Sequence, residues 1–176
     1  MPEAVRPADD GERVAVLRQH IQPQDGRDDG LQAIAEAAAQ MIGAPVALVS
    51  LIDTDEQFFA GCVGLSISGT PREQAFCGYT ILADRLLEVP DARRDPRFSD
   101  NPLVTSTPNI VFYAGIPLTS VSGDRLGTLC VIDWRPRHLS DHERAVLQNL
   151  ATAAERVIRK LGELRGANDD LADALA

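Results

Sequence analysis

At 176 residues, 44% of them hydrophobic, the chain can bury one substantial core, and one domain with short terminal appendages accounts for its length. Asp and Glu number 26 against 17 Lys and Arg, a formal charge of -9; this balance offers no cationic surface to a phosphate backbone and is repelled by an anionic membrane, so nucleic acid and membrane are excluded as partners. No apolar run reaches bilayer length, and the polar, acidic stretch from Met1 to Gly11 lacks the basic and apolar regions of a signal peptide, which places the chain in the cytoplasm.

Val14, Leu17 and Ile21 share one helical face before a break at Pro23 to Gly30, so residues 1–28 read as an N-terminal helix and linker. Leu31, Ile34, Ala35, Ala38, Met41 and Ile42 form a second helical stripe, with Asp28 and Asp29 ahead of it and Gly43 behind. Val46 to Ile52 is a nearly continuous apolar run suited to a central strand, and Gln57 to Val63 returns beside it as an antiparallel hairpin. Thr70-Pro71-Arg72-Glu73 has the pattern of a capping box opening a short helix through Phe76 and Cys77. Leu86 to Val89 reads as a short strand, and Pro90 to Pro102 as a loop with one helical turn begun at Asp95-Pro96. Val111 to Leu118 and Leu126 to Asp133 form a second hairpin around Ser122-Gly123-Asp124. Ser140 to Glu143 is another capping box, and the helix it starts carries a stripe from Val146 to Leu161; from Gly166 the acidic tail is expected to fray. This order calls for an α+β fold: a mainly antiparallel sheet of five or six strands, with terminal helices on one face and a loop and short-helix layer on the other.

The ordered segments Val49-Ser50-Leu51-Ile52-Asp53, Gln57-Phe58-Phe59-Ala60, Pro71-Arg72 with Phe76-Cys77-Gly78-Tyr79, Val89-Pro90-Asp91-Ala92 with Asp95-Pro96-Arg97-Phe98, Phe112 to Leu118, and Gly127 to Asp133 resemble the GAF domains of bacterial signalling proteins, of the kind associated with sensor histidine kinases and diguanylate cyclases. The resemblance places a GAF-like domain over residues 29–164 and an acidic C-terminal tail over 165–176. It implies a ligand cavity between one sheet face and the loops, and a small-molecule-sensing or regulatory role, without catalysis, exerted on a kinase or cyclase output partner. It also implies a homodimer through the terminal helices, either alongside ligand sensing or as a scaffold that senses nothing.

Under this reading Arg72, Phe76, Cys77, Tyr79, Arg97, Phe98 and Tyr113 are the candidate pocket residues: arginines for phosphate or carboxylate, aromatic rings for a flat ligand. The same arginines can instead pair with Glu73, Asp91, Asp95 and Asp100 to order the loops. Cys77 is a redox sensor, a covalent attachment point or a packed thiol, and Cys62 and Cys130 suit packing in apolar strands. An odd cysteine count without an export signal argues for reduced thiols. No particular cofactor is indicated. The Asn-Lys…Phe…Asp-Glu pattern of cyclic-nucleotide GAF domains and the Cys-His context of bilin attachment are absent from the sequence. Three cysteines raise a thiol-dependent free methionine sulfoxide reductase as the enzymatic alternative, although their flanking residues do not resemble that family. His138 and His142 are separated by the start of a helix, and Asp53 to Glu56 lacks the glycine and distal carboxylate of a cation loop, so no metal is assigned.

Overall fold

A computed structural model describes residues 4–175; the first three positions of segment 1–28 and the last of the tail 165–176 lie outside the described residues. The two hairpins of the sequence become β1 (Val46–Ile52) with β2 (Glu56–Val63), and β5 (Phe112–Thr119) with β6 (Arg125–Asp133). The short strands β3 (Gly69–Pro71) and β4 (Leu87–Val89) close the two edges. The six strands lie in the order β3-β2-β1-β6-β5-β4, each antiparallel to its neighbours. β1 and β6 sit at the centre, which is why all seven residues of β1 are buried and its sequence shows no polar alternation.

The helices α1 (Asp10–His20), α2 (Asp29–Ile42) and α5 (Asp141–Leu175) cover one face. The short helices α3 (Phe76–Thr80) and α4 (Pro102–Thr105), with their loops, cover the other. Local chemistry sets the helix ends. The Asp28 carboxylate accepts the Leu31 N–H at 2.9 Å, and Gly43, at φ 66°, takes the left-handed conformation that ends α2. Ser140 and Glu143 form the expected capping box, the Glu143 N–H donating to Ser140 Oγ at 3.2 Å and the Ser140 N–H to Glu143 Oε2 at 2.7 Å.

Because strand residues alternate, the sheet separates two cores. Val49 and Leu51 face Leu17, Leu31, Leu147 and Ile158 on the helix side, whereas Leu48 and Ile52 face Phe76, Phe98 and Tyr113 on the loop side. Burying each such side chain stabilises the fold by about 1.5–3 kcal/mol.

Two expectations are corrected. Thr70 does not cap a helix: Gly69 to Pro71 pair with Glu56 to Phe58 as an edge strand, and Thr70 Oγ1 instead accepts from Gln57 Nε2 at 2.6 Å. Arg72 to Gln74 form only a 3-10 turn, and α3 begins at Phe76. The acidic tail, expected to fray, is helical as far as Leu175. α5 is one helix of 35 residues running to Leu175, sustained beyond Gly166 by Ala167, Leu171, Ala172 and Ala174, which favour the helix enough to carry the intervening aspartates.

Candidate functional site

The loop-side core is not purely apolar. α3 lays Cys77 onto the sheet, where its Sγ accepts a hydrogen bond from Thr128 Oγ1 at 3.1 Å and from the Tyr113 hydroxyl at 3.4 Å. Thr80 Oγ1 lies 2.6 Å from the same Tyr113 oxygen; with the phenol proton directed at sulfur, Thr80 is the donor. Thr128 and Cys130 stand two residues apart on β6 and so face Cys77 from the same side of the sheet. Opposite Cys130 on β5 is Gly115, where any Cβ would overlap the Tyr113 hydroxyl and press on Thr80 Oγ1. A side chain there would expel the phenol from its position.

This arrangement divides the two thiols. The Cys130 thiol beside it is the strongest influence holding the Cys77 thiol below its ordinary range; burial opposes this, and the Thr128 and Tyr113 hydroxyls add to it. Cys130 is pushed well above the ordinary range, by Cys77 first and by burial second. Tyr113 is raised by burial and by the two sulfurs. Of the pair, Cys77 is therefore the thiol whose ionisation the surroundings favour, and Cys130 the one whose ionisation they oppose.

Cys77 and Cys130 share the wall of a cavity of about 30 Å³ with Phe76, Tyr113, Gln57 and Ile67. That is room for roughly one or two waters. Ser50 Oγ donates to Gln57 Oε1 at 2.8 Å, so a second set of buried polar groups borders the thiol pair. Among the described residues no Asp, Glu, Lys, Arg or His lines the hollow.

The candidate residues named from sequence fall into three places. Phe76, Cys77 and Tyr113 meet at the cavity. Phe98, Tyr79 and Arg97 lie one layer out: Phe98 stacks on Phe76 with centroids 4.2 Å apart, Tyr79 meets Phe98 edge-on at 4.9 Å, and the Arg97 guanidinium lies 5.2 Å from the Phe98 centroid. These side chains pack on one another as a layer above the cavity. Arg72 stands elsewhere, buried, donating to both Asp10 carboxylate oxygens at 2.7 and 2.8 Å and to the Asp53 carbonyl at 2.9 Å. Arg13 also donates to Asp10, and Arg18 to Asp53, so the cluster ties α1 to the β1–β2 turn. Burial pushes the Asp10 carboxyl up, but the Arg72 and Arg13 guanidiniums outweigh it and hold it below the carboxylate range.

In the loops Arg93 pairs with Asp91 and Arg97 with Asp95, as the pairing alternative anticipated, whereas Arg72 takes Asp10 in place of Glu73. His138 contacts Glu88 at 3.2 Å. Among the described residues, no group of three or more His, Cys, Asp or Glu is arranged to hold a metal ion. Sequence reasoning missed Thr80, Thr128 and Gln57, and the juxtaposition of Cys77 with Cys130. The only local signal was an unusual pair of polar residues, Ser50 and Thr128, inside otherwise apolar central strands.

Comparison with known proteins bears on this geometry. The chain is 40% identical over 163 residues to a cyclic di-GMP phosphodiesterase of Pseudomonas aeruginosa, covering 92% of this chain but only 27% of that protein, so it spans about a quarter of the relative's length. Among solved structures it superposes on the GAF domain of an Acinetobacter phosphoenolpyruvate-protein phosphotransferase with a TM-score of 0.62 at 17% identity, covering 87% of this chain and 96% of the other. It superposes equally, with a TM-score of 0.62 at 20% identity, on a free methionine-R-sulfoxide reductase from Neisseria meningitidis, covering 93% and 99%. At these identities the two structures establish the fold alone. The family model of the GAF domain matches residues 26–158, the whole sheet with α2 and the first half of α5, and the chain belongs to the GAF-domain family.

Proposed function

We propose that this domain is a cytoplasmic, non-catalytic input module of bacterial signal transduction that regulates an attached output domain through α5. One observation carries the reading. The first half of α5 buries Val146, Leu147, Ala151, Ala154 and Ile158 under the sheet, while its continuation leaves Leu164, Leu171 and Leu175 exposed. Leu161, Leu164, Asn168, Leu171 and Leu175 recur at alternating intervals of three and four, the spacing of a two-stranded coiled coil, in which a single Asn at a core position sets register. A second copy of the chain fits this stripe, and α5 then delivers a paired helix to the output.

The relative's printed activity supports a cyclic-dinucleotide phosphodiesterase as the output, in place of the kinase or cyclase expected from sequence. The loop-face interior supports a very small input species rather than an organic ligand, since Phe76, Phe98, Tyr79 and Tyr113 fill it. Among the described residues its lining has no Asp, Glu, Lys, Arg or His to pair with both charges of a zwitterionic amino acid, which argues against that substrate and so against the reductase alternative.

The test replaces the matched segment of the Pseudomonas phosphodiesterase with this chain and lengthens α5 after Gly166. An insertion of one heptad preserves the phase of the helix, and the rate of cyclic di-GMP hydrolysis is expected to stay that of the parent chimera. An insertion of two residues turns the continuation of the helix by about 200°, faces the output the opposite way and shifts the rate. Equal rates for both insertions overturn the reading.

A further inference from the structure

We propose that Cys77 and Cys130 are a peroxide-responsive dithiol, in which hydrogen peroxide entering the hollow between them oxidises Cys77 and Cys130 then closes a disulfide joining α3 to β6. The role of this reaction as a signal rests on the input-module reading above; the chemistry does not.

Three features of the site point to it. The two thiols are held against one cavity whose volume, about 30 Å³, admits a molecule of peroxide size and excludes a larger oxidant. The Thr128 and Tyr113 hydroxyls both donate to Cys77 Sγ, a pattern that stabilises a thiolate, the reactive form, in a cavity whose other polar lining residues are Gln57 and Thr70. Cys130, the higher-pKa thiol, remains protonated next to it and is placed as the resolving group. Leu65, Ile67, Leu103 and Pro108 also line the cavity, and Ile67 is 41% exposed, so the hollow lies close to the protein surface. Cys62 supplies an internal control. It does not line the hollow, its thiol donates to the Leu65 carbonyl at 3.4 Å, and burial raises its pKa.

The steps balance. Cys77 thiolate attacks one peroxide oxygen; the S–O bond forms, the O–O bond breaks, and the departing hydroxide takes a proton to become water. Sulfur is oxidised to the sulfenic acid by two electrons, and the peroxide is reduced. The Cys130 sulfur, losing its proton, then attacks the Cys77 sulfur. The S–S bond forms, the S–O bond breaks, and hydroxide leaves with that proton as a second water. Forming the bond removes the acceptor to which Tyr113 and Thr128 donate, and fixes the loop layer to a central strand.

The test treats the reduced chain with an equivalent of hydrogen peroxide and follows intact mass and thiol mapping. The expected product is lighter by two hydrogens, contains one peptide pair linking Cys77 to Cys130, leaves Cys62 open to alkylation after denaturation, and is reversed by dithiothreitol. In Cys130→Ser the reaction is expected to stop at a sulfenic acid on Cys77, captured by dimedone. In Tyr113→Phe oxidation is expected to slow several-fold, with the folded state verified by circular dichroism. A disulfide that includes Cys62, or thiols that react only once the chain is unfolded in urea, overturns the proposal. In the phosphodiesterase chimera, a disulfide that forms without changing hydrolysis upholds the chemistry and defeats the input-module reading. Absence of the disulfide defeats the chemistry and leaves that reading to the helix-phase test.

Discussion

The two faces of the sheet use the same strands for different ends. On the helix face, α1, α2 and α5 pack against Val49, Leu51, Leu118 and Leu129, a core with no cysteine among its described residues. On the loop face, the alternate residues of the same strands meet two thiols, a phenol and two threonine hydroxyls beneath an aromatic stack. Apolar packing alone is non-directional and tolerates volume-conserving change, whereas a buried polar cluster fixes one arrangement and is costly when half-satisfied. Under the proposed function the helix face, which runs on into α5, supplies mechanical continuity and the loop face chemical sensitivity.

Substitutions on each side sharpen the contrast. The largest effect is expected from Phe98→Ala, which removes the ring stacked on Phe76 and should cost about 3–5 kcal/mol in urea unfolding while raising the alkylation rate of Cys77. Leu147→Ala, on the helix face, is expected to cost about 2–5 kcal/mol with Cys77 alkylation unchanged in the folded state. Equal exposure of Cys77 in both variants would erase the distinction between the faces.

Asp10→Asn leaves the buried Arg13 and Arg72 guanidiniums without their shared carboxylate, and a loss of about 3 kcal/mol at neutral pH is expected. Because the folded-state pKa of Asp10 lies below its unfolded value, its contribution is complete above the ordinary carboxylate pKa of about 4 and is lost as pH falls through the folded value. Thermal unfolding from neutral to acidic pH should therefore narrow the gap between Asp10→Asn and the parent. A gap that is constant with pH would show that the pair contributes nothing through ionisation. Tyr113→Phe is the smallest change, about 1 kcal/mol, since it removes one phenol from a hydrogen-bond chain and leaves the ring in place.

The sequence makes the architecture readable where a local pattern has one physical outcome. Asp28 with Gly43, Ser140 with Glu143, and the uninterrupted apolar runs of β1 and β6 each have this property. Thr70 to Glu73 misleads because two outcomes compete. The residues that would cap a helix also pair with β2, and the longer-range sheet hydrogen bonds prevail. Arg72 reads as a ligand-facing cation for the same reason: its partner Asp10 is 62 residues away, and nothing near it in sequence announces the pair. Of the site, the aromatic and thiol members Phe76, Cys77 and Tyr113 are legible, because they are rare residue types in apolar surroundings. Thr128 and Cys130 become partners of Cys77 only through the placement of α3 over β6, a tertiary contact that composition and spacing do not encode.

Under the proposed function the loop-face interior is filled by the protein's own rings around a thiol centre that admits only a very small species. Native mass spectrometry of the gently purified, reduced chain, compared with its denatured mass, tests this most directly. The two masses are expected to agree apart from water, in the monomer and in any dimer. An organic molecule that is retained by the folded chain, released on denaturation, and lost in Phe76→Ala or Tyr113→Phe would contradict it.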